Sequence, residues 1–301
     1  MLSRKNKLRL LKMFSLFSVV RGYNILVIVI AQYLTSAFIL APGKGLRYIF
    51  LDIALFMIVL AGALAIAGGY IINNFYDSEK DLINRPRKTM LDRLVSQNTK
   101  LYIYFTLNFL SIIAASYVSF RAVVFFAVFI FGIWLYSHKL KKIPLLGNIV
   151  AATLAITPFF AVFVYYNNWS LVIFVHATFL FLIISMREMI KDLENIKGDI
   201  AQNYRTIPVV YGVKTSKRLI TVLAGLTLIP LLLLLFYFPT GYMSYYFYAS
   251  MILLVLFLFS LWLSKARLHY LVLHNILKLI IVLGVFCILL LDINVVLDRL
   301  H

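Results

Sequence analysis

The chain has 301 residues, of which 63% are hydrophobic and 13% charged, and its formal net charge is +18. An ordinary soluble domain is nearer half apolar and about a quarter charged. This composition therefore excludes a water-soluble globule, and with it a soluble surface for nucleic acid. Apolar runs of about 18 residues or more recur along the chain, each long enough to cross a bilayer core as a helix. They are continuous and lack the period-two alternation of a membrane β-barrel strand.

In chain order, residues 1–20 read as a basic cytoplasmic tail. No apolar core with a small-residue cleavage site follows, so the tail is not read as a signal peptide. Nine spans are predicted, over 22–41, 49–74, 101–119, 121–137, 145–166, 170–188, 217–238, 243–264 and 275–297. The connections after the first, third, fifth and seventh spans are short and nearly uncharged. Those after the second, fourth, sixth and eighth are longer and basic. Of the 29 Lys and Arg residues, 25 fall in the tail and these basic connections; Lys44, Arg47, Arg121 and Arg299 do not. An odd number of spans and this asymmetry place the amino terminus in the cytoplasm by the positive-inside rule. The expectation is an all-α, polytopic protein of the cell (inner) membrane. Residues 1–301 form one membrane domain, a bundle around a central cavity that opens at the cytoplasmic face. The face charge suits anionic lipid headgroups or phosphorylated substrates.

The acids are distributed differently. Eight of the 11 lie in two connections, 75–99 and 189–216, counting Glu188 at the edge of the second; Asp52, Asp292 and Asp298 are elsewhere. The first cluster lies in IINNFYDSEKDLINRPRK (71–88). Continued as a helix from the second span, it puts Asn73, Asp77 and Asp81 four residues apart on one stripe, with Asn74 beside it. The second lies in REMIKDLENIKGD (187–199), where Asp192, Asn195 and Asp199 share one face flanked by Arg187 and Lys191. Glu79 and Glu194 are expected to point away into solvent. Stacked carboxylates repel one another, and a wet helix end with Lys80, Arg85 and Lys191 as partners is the plainer alternative. Two such stripes on one side of a membrane bundle point instead to Mg²⁺, a hard cation that takes carboxylate and phosphate oxygens. Facing stripes can hold two Mg²⁺ ions around a diphosphate, which bare carboxylates would repel. Arg85, Lys88, Lys139, Lys142 and Arg205 lie on the same side as further donors. A diphosphate at the mouth of an apolar bundle implies a substrate with a greasy tail, such as an isoprenoid diphosphate.

At these residues the chain resembles the UbiA superfamily of intramembrane prenyltransferases. The family pattern Asn-Asp-x-x-Asp-x-x-x-Asp stands here as Asn73-Asn74-Phe-Tyr-Asp77-Ser-Glu-Lys-Asp81. The pattern Lys-Asp-x-x-Asp-x-x-x-Asp stands as Lys191-Asp192-Leu-Glu-Asn195-Ile-Lys-Gly-Asp199. Asn74 and Asn195 each replace an Asp. Weaker matches are RGYN (21–24), NRPRKT (84–89), YSHKLKKIPLLGN (136–148) and YRTIPVVYG (204–212). The resemblance implies catalytic Asp77, Asp81, Asp192 and Asp199. It implies metal ligands Asn73, Asp77, Asp81, Asp192, Asn195 and Asp199. It implies diphosphate contacts from Asn24, Asn73, Arg85, Lys88, Lys139, Lys142, Lys191 and Arg205. An amide ligates Mg²⁺ without charge, so affinity is expected to be weaker than with the full acidic set, or a second metal less firmly held.

The reaction implied is ionisation of an allylic diphosphate, with the cation meeting an acceptor where water is excluded. The pattern is most similar to geranylgeranylglycerol-phosphate geranylgeranyltransferases, which implies a lipid-alcohol acceptor. An aromatic quinone precursor is the alternative, and a transporter of an anionic substrate the alternative of another class. Transporter acids sit near mid-membrane, and these sit at the boundary. Of the remaining polar residues in apolar runs, Cys287 reads as an inert thiol, His176 as a hydrogen-bonded packing residue and Asp292 as a boundary residue. Pro158 and Pro230 are expected to kink their spans.

Overall fold

The structure, a computed structural model, describes residues 4–291. Asp292 and the last residues of the ninth predicted span lie outside them. Among the described residues, nine helices are long and apolar enough to cross a membrane.

The segment expected as a tail is a helix, α1 (Arg4–Val20), tied to the bundle where Ser15 Oγ donates to Leu91 O at 2.7 Å. Arg21, in the left-handed region at φ 52°, turns the chain into α2 (Gly22–Thr35), which a wider turn extends to Leu40. After the short α3 (Leu46–Phe50), Asp52 caps α4 (Ile53–Asn84) by accepting from the Ala54 and Leu55 amides. Pro86 opens α5 (Pro86–Asp92), as its fixed φ favours. Ser96 and Ser119 cap α6 (Gln97–Val118) and α7 (Phe120–His138). A single turn, Leu140–Lys142, leads into α8 (Leu146–Tyr166), and α9 (Leu171–Ala201) follows. The rest is α10 (Ile207–Phe236), α11 (Ser244–Leu263) and α12 (Arg267–Cys287).

At their carboxyl ends α4 outruns its predicted span by ten residues and α9 by thirteen; at their amino ends α10 starts ten and α12 eight residues early. Both acidic stripes therefore stand on continuous helix rather than on connections. α10 breaks at Gly212, where φ 83° and ψ 165° demand a glycine, while Pro158 and Pro230 lie inside α8 and α10.

The core has two halves. One is built from α9, α10, α11 and α12 around residues such as Ile190, Ile220, Phe257 and Leu277. The other is built from α2, α4, α6, α7 and α8 around Leu55, Ala65, Ala115 and Phe126. In α4, 56% of the most apolar window is buried, against 33% at most in the other spans, so α4 is the central helix. Its small residues permit this. Ser111 Oγ of α6 reaches Ala61 O at 2.8 Å, and a Cβ at Gly68 would lie 2.8 Å from Asn108 Oδ1. The acidic ends of α4 and α9 meet where the two halves join. Along the same seam, toward the opposite end, is an apolar cavity of about 140 Å³ whose lining includes Phe160, His176, Leu180, Ile183, Phe247 and Ile281.

Candidate functional site: two acidic helix ends bridged by lysines

The stripes face each other. From α4, Lys80 Nζ lies 2.7 Å from Asp199 Oδ1 on α9. One turn further along, the Gly198 amide donates to Asn84 Oδ1 at 3.1 Å. A Cβ at 198 would overlap the Asn84 side-chain amide, so glycine permits this approach. Beyond it, Arg85 pairs with Glu194 at 3.0 Å, and Arg267 of α12 reaches the same oxygen at 3.4 Å. Glu194, expected in solvent, is thus 5% exposed. It sits on the α9 stripe that faces α12 and ties three helices together. Glu79 does face solvent, paired with Arg93 at 2.7 Å.

The Leu140–Lys142 turn closes the site from a third direction. Lys141, not Lys139 or Lys142, points inward: its Nζ is 2.8 Å from Asp77 Oδ1 and 3.3 Å from Asn73 Oδ1. Gly147 lets α8 close on this turn, since a Cβ there would lie 3.1 Å from Lys141 Cα. Burial pushes the Lys141 amine down to about 8 against the opposing pull of Asp77. Tyr204 binds both stripes. Its hydroxyl donates to Asp77 Oδ1 at 3.0 Å, and its amide donates to Asp199 O at 2.8 Å. Its ring lies under Lys80 Nζ at 4.4 Å and Lys142 Nζ at 5.1 Å. Burial, then Asp77, raises the Tyr204 phenol above its ordinary range, so it stays a donor. Thr206 Oγ1 donates to Asp199 Oδ2 at 3.1 Å, and Asn148 Nδ2 of α8 donates to Asp192 Oδ2 at 2.7 Å.

Other predicted residues stand further off. Asn24 Nδ2 donates to the Tyr70 hydroxyl at 3.3 Å. Tyr70 is seven residues, about 10 Å of helix, before Asp77. Lys139, Lys142 and Arg205 are exposed, and the Arg205 amide donates to Lys142 O at 3.1 Å. Lys88 lies near Arg21, Arg85, Asp81 and Asp92; burial and Arg21 lower its amine. Lys191 pairs with Glu188 at 2.9 Å.

Asn74 is turned out of the site. Its Oδ1 accepts from Lys100 Nζ at 2.8 Å and its Nδ2 donates to Asp92 Oδ2 at 3.4 Å. An amide serves both neighbours, whereas an aspartate there would set two carboxylates face to face. His176, as expected, is a packing residue, with Nδ1 2.8 Å from Val172 O.

The oxygens that remain open fit a hard cation. Asn195 Oδ1 is buried without a hydrogen bond. Asp81 stands in the field of Asp77, Lys80, Arg85 and Lys191 without pairing directly to any of them. Both partners of Asp77 sit on Oδ1, and the partner of Asp192 sits on Oδ2, leaving one oxygen of each open. Among the described residues, no three His, Cys, Asp or Glu side chains converge closely enough to hold a metal without rearrangement. The lysines and Asn148 hold the carboxylates apart. Between α9 and α12, Arg187 Nε and His274 Nδ1 are both buried without a hydrogen bond, in the field of the Glu188 carboxylate. The sequence offered a pattern for the acids, but none for Lys141, Tyr204, Asn148 or Thr206 beyond their place in the weaker matches.

Comparison with known proteins bears on the family and the fold. A digeranylgeranylglyceryl phosphate synthase from Thermococcus sibiricus is 34% identical over 178 residues, 59% of this chain and 63% of that relative. This chain thus spans less than two thirds of that relative's length. The synthase of the same description from Methanobrevibacter smithii is 29% identical over 239 residues, 75% of this chain and 80% of the relative. A UbiA homologue from Archaeoglobus fulgidus, solved with GPP and Mg²⁺, has the same fold, with a TM-score of 0.67 at 14% identity over 91% of this chain and 99% of that one. A structure concerning digeranylgeranylglyceryl phosphate synthase in membranes also has a TM-score of 0.67, at 20% identity over 92% of this chain and 97% of that one. The sequence profile of the UbiA prenyltransferase family matches residues 22–269, and the chain belongs to that family.

Proposed function

We propose that this protein transfers a prenyl group, geranylgeranyl above others, from its allylic diphosphate to a phosphorylated glycerol-type lipid alcohol. The observation that carries the reading is the meeting of the two acidic stripes, through Lys80–Asp199 and Asn84–Gly198, at one end of an apolar bundle. The relatives described as digeranylgeranylglyceryl phosphate synthases support the acceptor class.

Asp77, Asp81, Asp192 and Asn195, with Asn73 adjoining, would hold Mg²⁺, which neutralises the diphosphate as it departs. The protein's own groups do the rest. Lys141 and Tyr204 fix Asp77 through one oxygen, and Asn148 fixes Asp192, so one oxygen of each stays open to a cation that draws the stripes together. The allylic C1–O bond breaks, and its electron pair leaves with the diphosphate. The acceptor hydroxyl oxygen supplies the new C1–O bond and gives up its proton. Arg85, Lys88 and Lys191 lie on the diphosphate side, with exposed Lys139, Lys142 and Arg205 at the rim. The tail runs along the seam toward the cavity. Ile183, in its lining, is nine residues, about 14 Å of helix, from Asp192. This end of the bundle faces the cytoplasm of the inner membrane, in keeping with its basic residues.

The test is purified protein with geranylgeranyl diphosphate and either a geranylgeranylglyceryl phosphate or 4-hydroxybenzoate, with Mg²⁺ or EDTA. Mass spectrometry should show an ether product with the phosphorylated lipid alone, and none in EDTA or with Asp192→Asn. An aromatic product would replace the acceptor assignment. No product with any acceptor would refute prenyl transfer.

A further inference from the structure

We propose that Lys80 is a built-in cation standing where a second metal ion would otherwise be needed, so that the site takes one divalent ion with its diphosphate. Asp199 is then the seat of Lys80 and not a metal ligand. This rests on the proposed function and concerns the same site.

The signature leaves position 80 unspecified, yet Lys80 follows Asn73 by seven residues. Two helical turns bring it back onto the acidic stripe, within about 20° of Asn73. There it reaches across to α9. Lys80 Nζ is 2.7 Å from Asp199 Oδ1, with side-chain exposures of 13% and 0%. The other oxygen, Oδ2, accepts from Thr206. The Tyr204 ring covers the ammonium at 4.4 Å. Asp199 is thus shut off from solvent, with Oδ2 hydrogen-bonded to Thr206 and Oδ1 in an ion pair with Lys80 that lacks hydrogen-bond geometry.

Asp77 is also lysine-bound but differs in kind. Lys141 and Tyr204 share its Oδ1, which leaves Oδ2 open. Asp192 keeps Oδ1 open, Asp81 keeps both oxygens, and Asn195 offers an unpaired Oδ1. Drawn together around one octahedral ion, these oxygens would leave its remaining positions to phosphate and water. On α9 a second ion would find the middle position uncharged, because it is Asn195, and the last carboxylate taken. It would also stand against the Lys80 ammonium. A lysine held by a buried carboxylate supplies one fixed positive charge that does not dissociate, so dependence on metal concentration should be first order.

The test counts metal directly. Full-length protein in detergent micelles is titrated with Mn²⁺ in the presence of geranylgeranyl S-thiolodiphosphate, whose bridging sulfur resists ionisation. Free Mn²⁺ is read by its paramagnetic resonance signal. One Mn²⁺ per chain is expected, and two would overturn the inference. Asp199→Asn should keep Mn²⁺ affinity within twofold, while Asp192→Asn lowers it at least tenfold. An equal tenfold loss in both would also overturn it. Lys80→Met frees Asp199 and should raise the count to two; a folded variant that still binds one would show that Lys80 is not what excludes the second ion. If Lys80→Met does not fold, the wild-type count and Asp199→Asn decide. No bound Mn²⁺ at all would refute the metal-dependent reading of the site, and the inference with it.

Discussion

Lys141→Met removes the charge that enters the acidic pair from the Leu140–Lys142 turn while keeping most of the side-chain volume. In the wild type, Nζ lies 2.8 Å from Asp77 Oδ1, with side-chain exposures of 6% and 11%. Removing one partner of a buried pair typically costs about 3–5 kcal/mol, because the other charge is left uncompensated. Asp77 keeps the Tyr204 hydroxyl at 3.0 Å and the field of Lys80. The low end, about 3 kcal/mol, is therefore expected for metal-free protein at pH 7, where the Lys141 amine is still charged. A divalent ion supplies the missing charge. At a hundred times its Kd it contributes about 2.7 kcal/mol to any folded form that binds it, and it should stabilise the variant more than the wild type. Asp77→Asn added to Lys141→Met removes both charges and should recover most of the loss. The assay is reversible denaturant unfolding in micelles, followed by tryptophan fluorescence, in EDTA and in a Mg²⁺ series. Metal-free Lys141→Met within about 0.5 kcal/mol of wild type, the scatter expected of ordinary surface substitutions, would refute a buried pair. So would a double variant less stable than the single.

Two further predictions use the same geometry. Gly198→Ala puts a methyl into the Asn84 side-chain amide. Overpacking and the lost buried hydrogen bond cost about 1–3 kcal/mol each, against about 1 kcal/mol of helix propensity regained. Thermal unfolding should show net destabilisation, partly reversed by adding Asn84→Ala; an unchanged melting point would count against the close approach of α4 and α9. Leu180→Trp fills part of the 140 Å³ cavity. The ratio of kcat/KM for 20-carbon over 15-carbon diphosphates should fall at least tenfold, and an unchanged ratio would place the tail elsewhere.

Much of the architecture was legible in the sequence because membrane insertion leaves few choices. A run of about 20 apolar residues in lipid must satisfy its backbone internally, so it is a helix. All nine predicted spans have their helices among the described residues. The acidic stripes were legible because helical spacing alone puts Asp77 and Asp81, or Asp192 and Asp199, on one face. The side chains that tune them were not. Three lysines lie within 139–142, and nothing local says that Lys141 turns inward while Lys139 and Lys142 face solvent. Glu194 read as solvated because one helix face looks much like another until Arg85 and Arg267 arrive from two other helices. Asn74 read as a weakened metal ligand because Lys100 and Asp92, which explain its amide, are 26 and 18 residues away.

Composition and periodicity by themselves determined that this is a helical membrane protein, with nine spans among the described residues and two acidic faces, since both follow from the chain's own repeat. Which cation each carboxylate holds was decided only by the tertiary structure. An ion pair is fixed by the distance between side chains on different helices, and that distance is set by how closely glycines such as Gly147 and Gly198 let the helices approach.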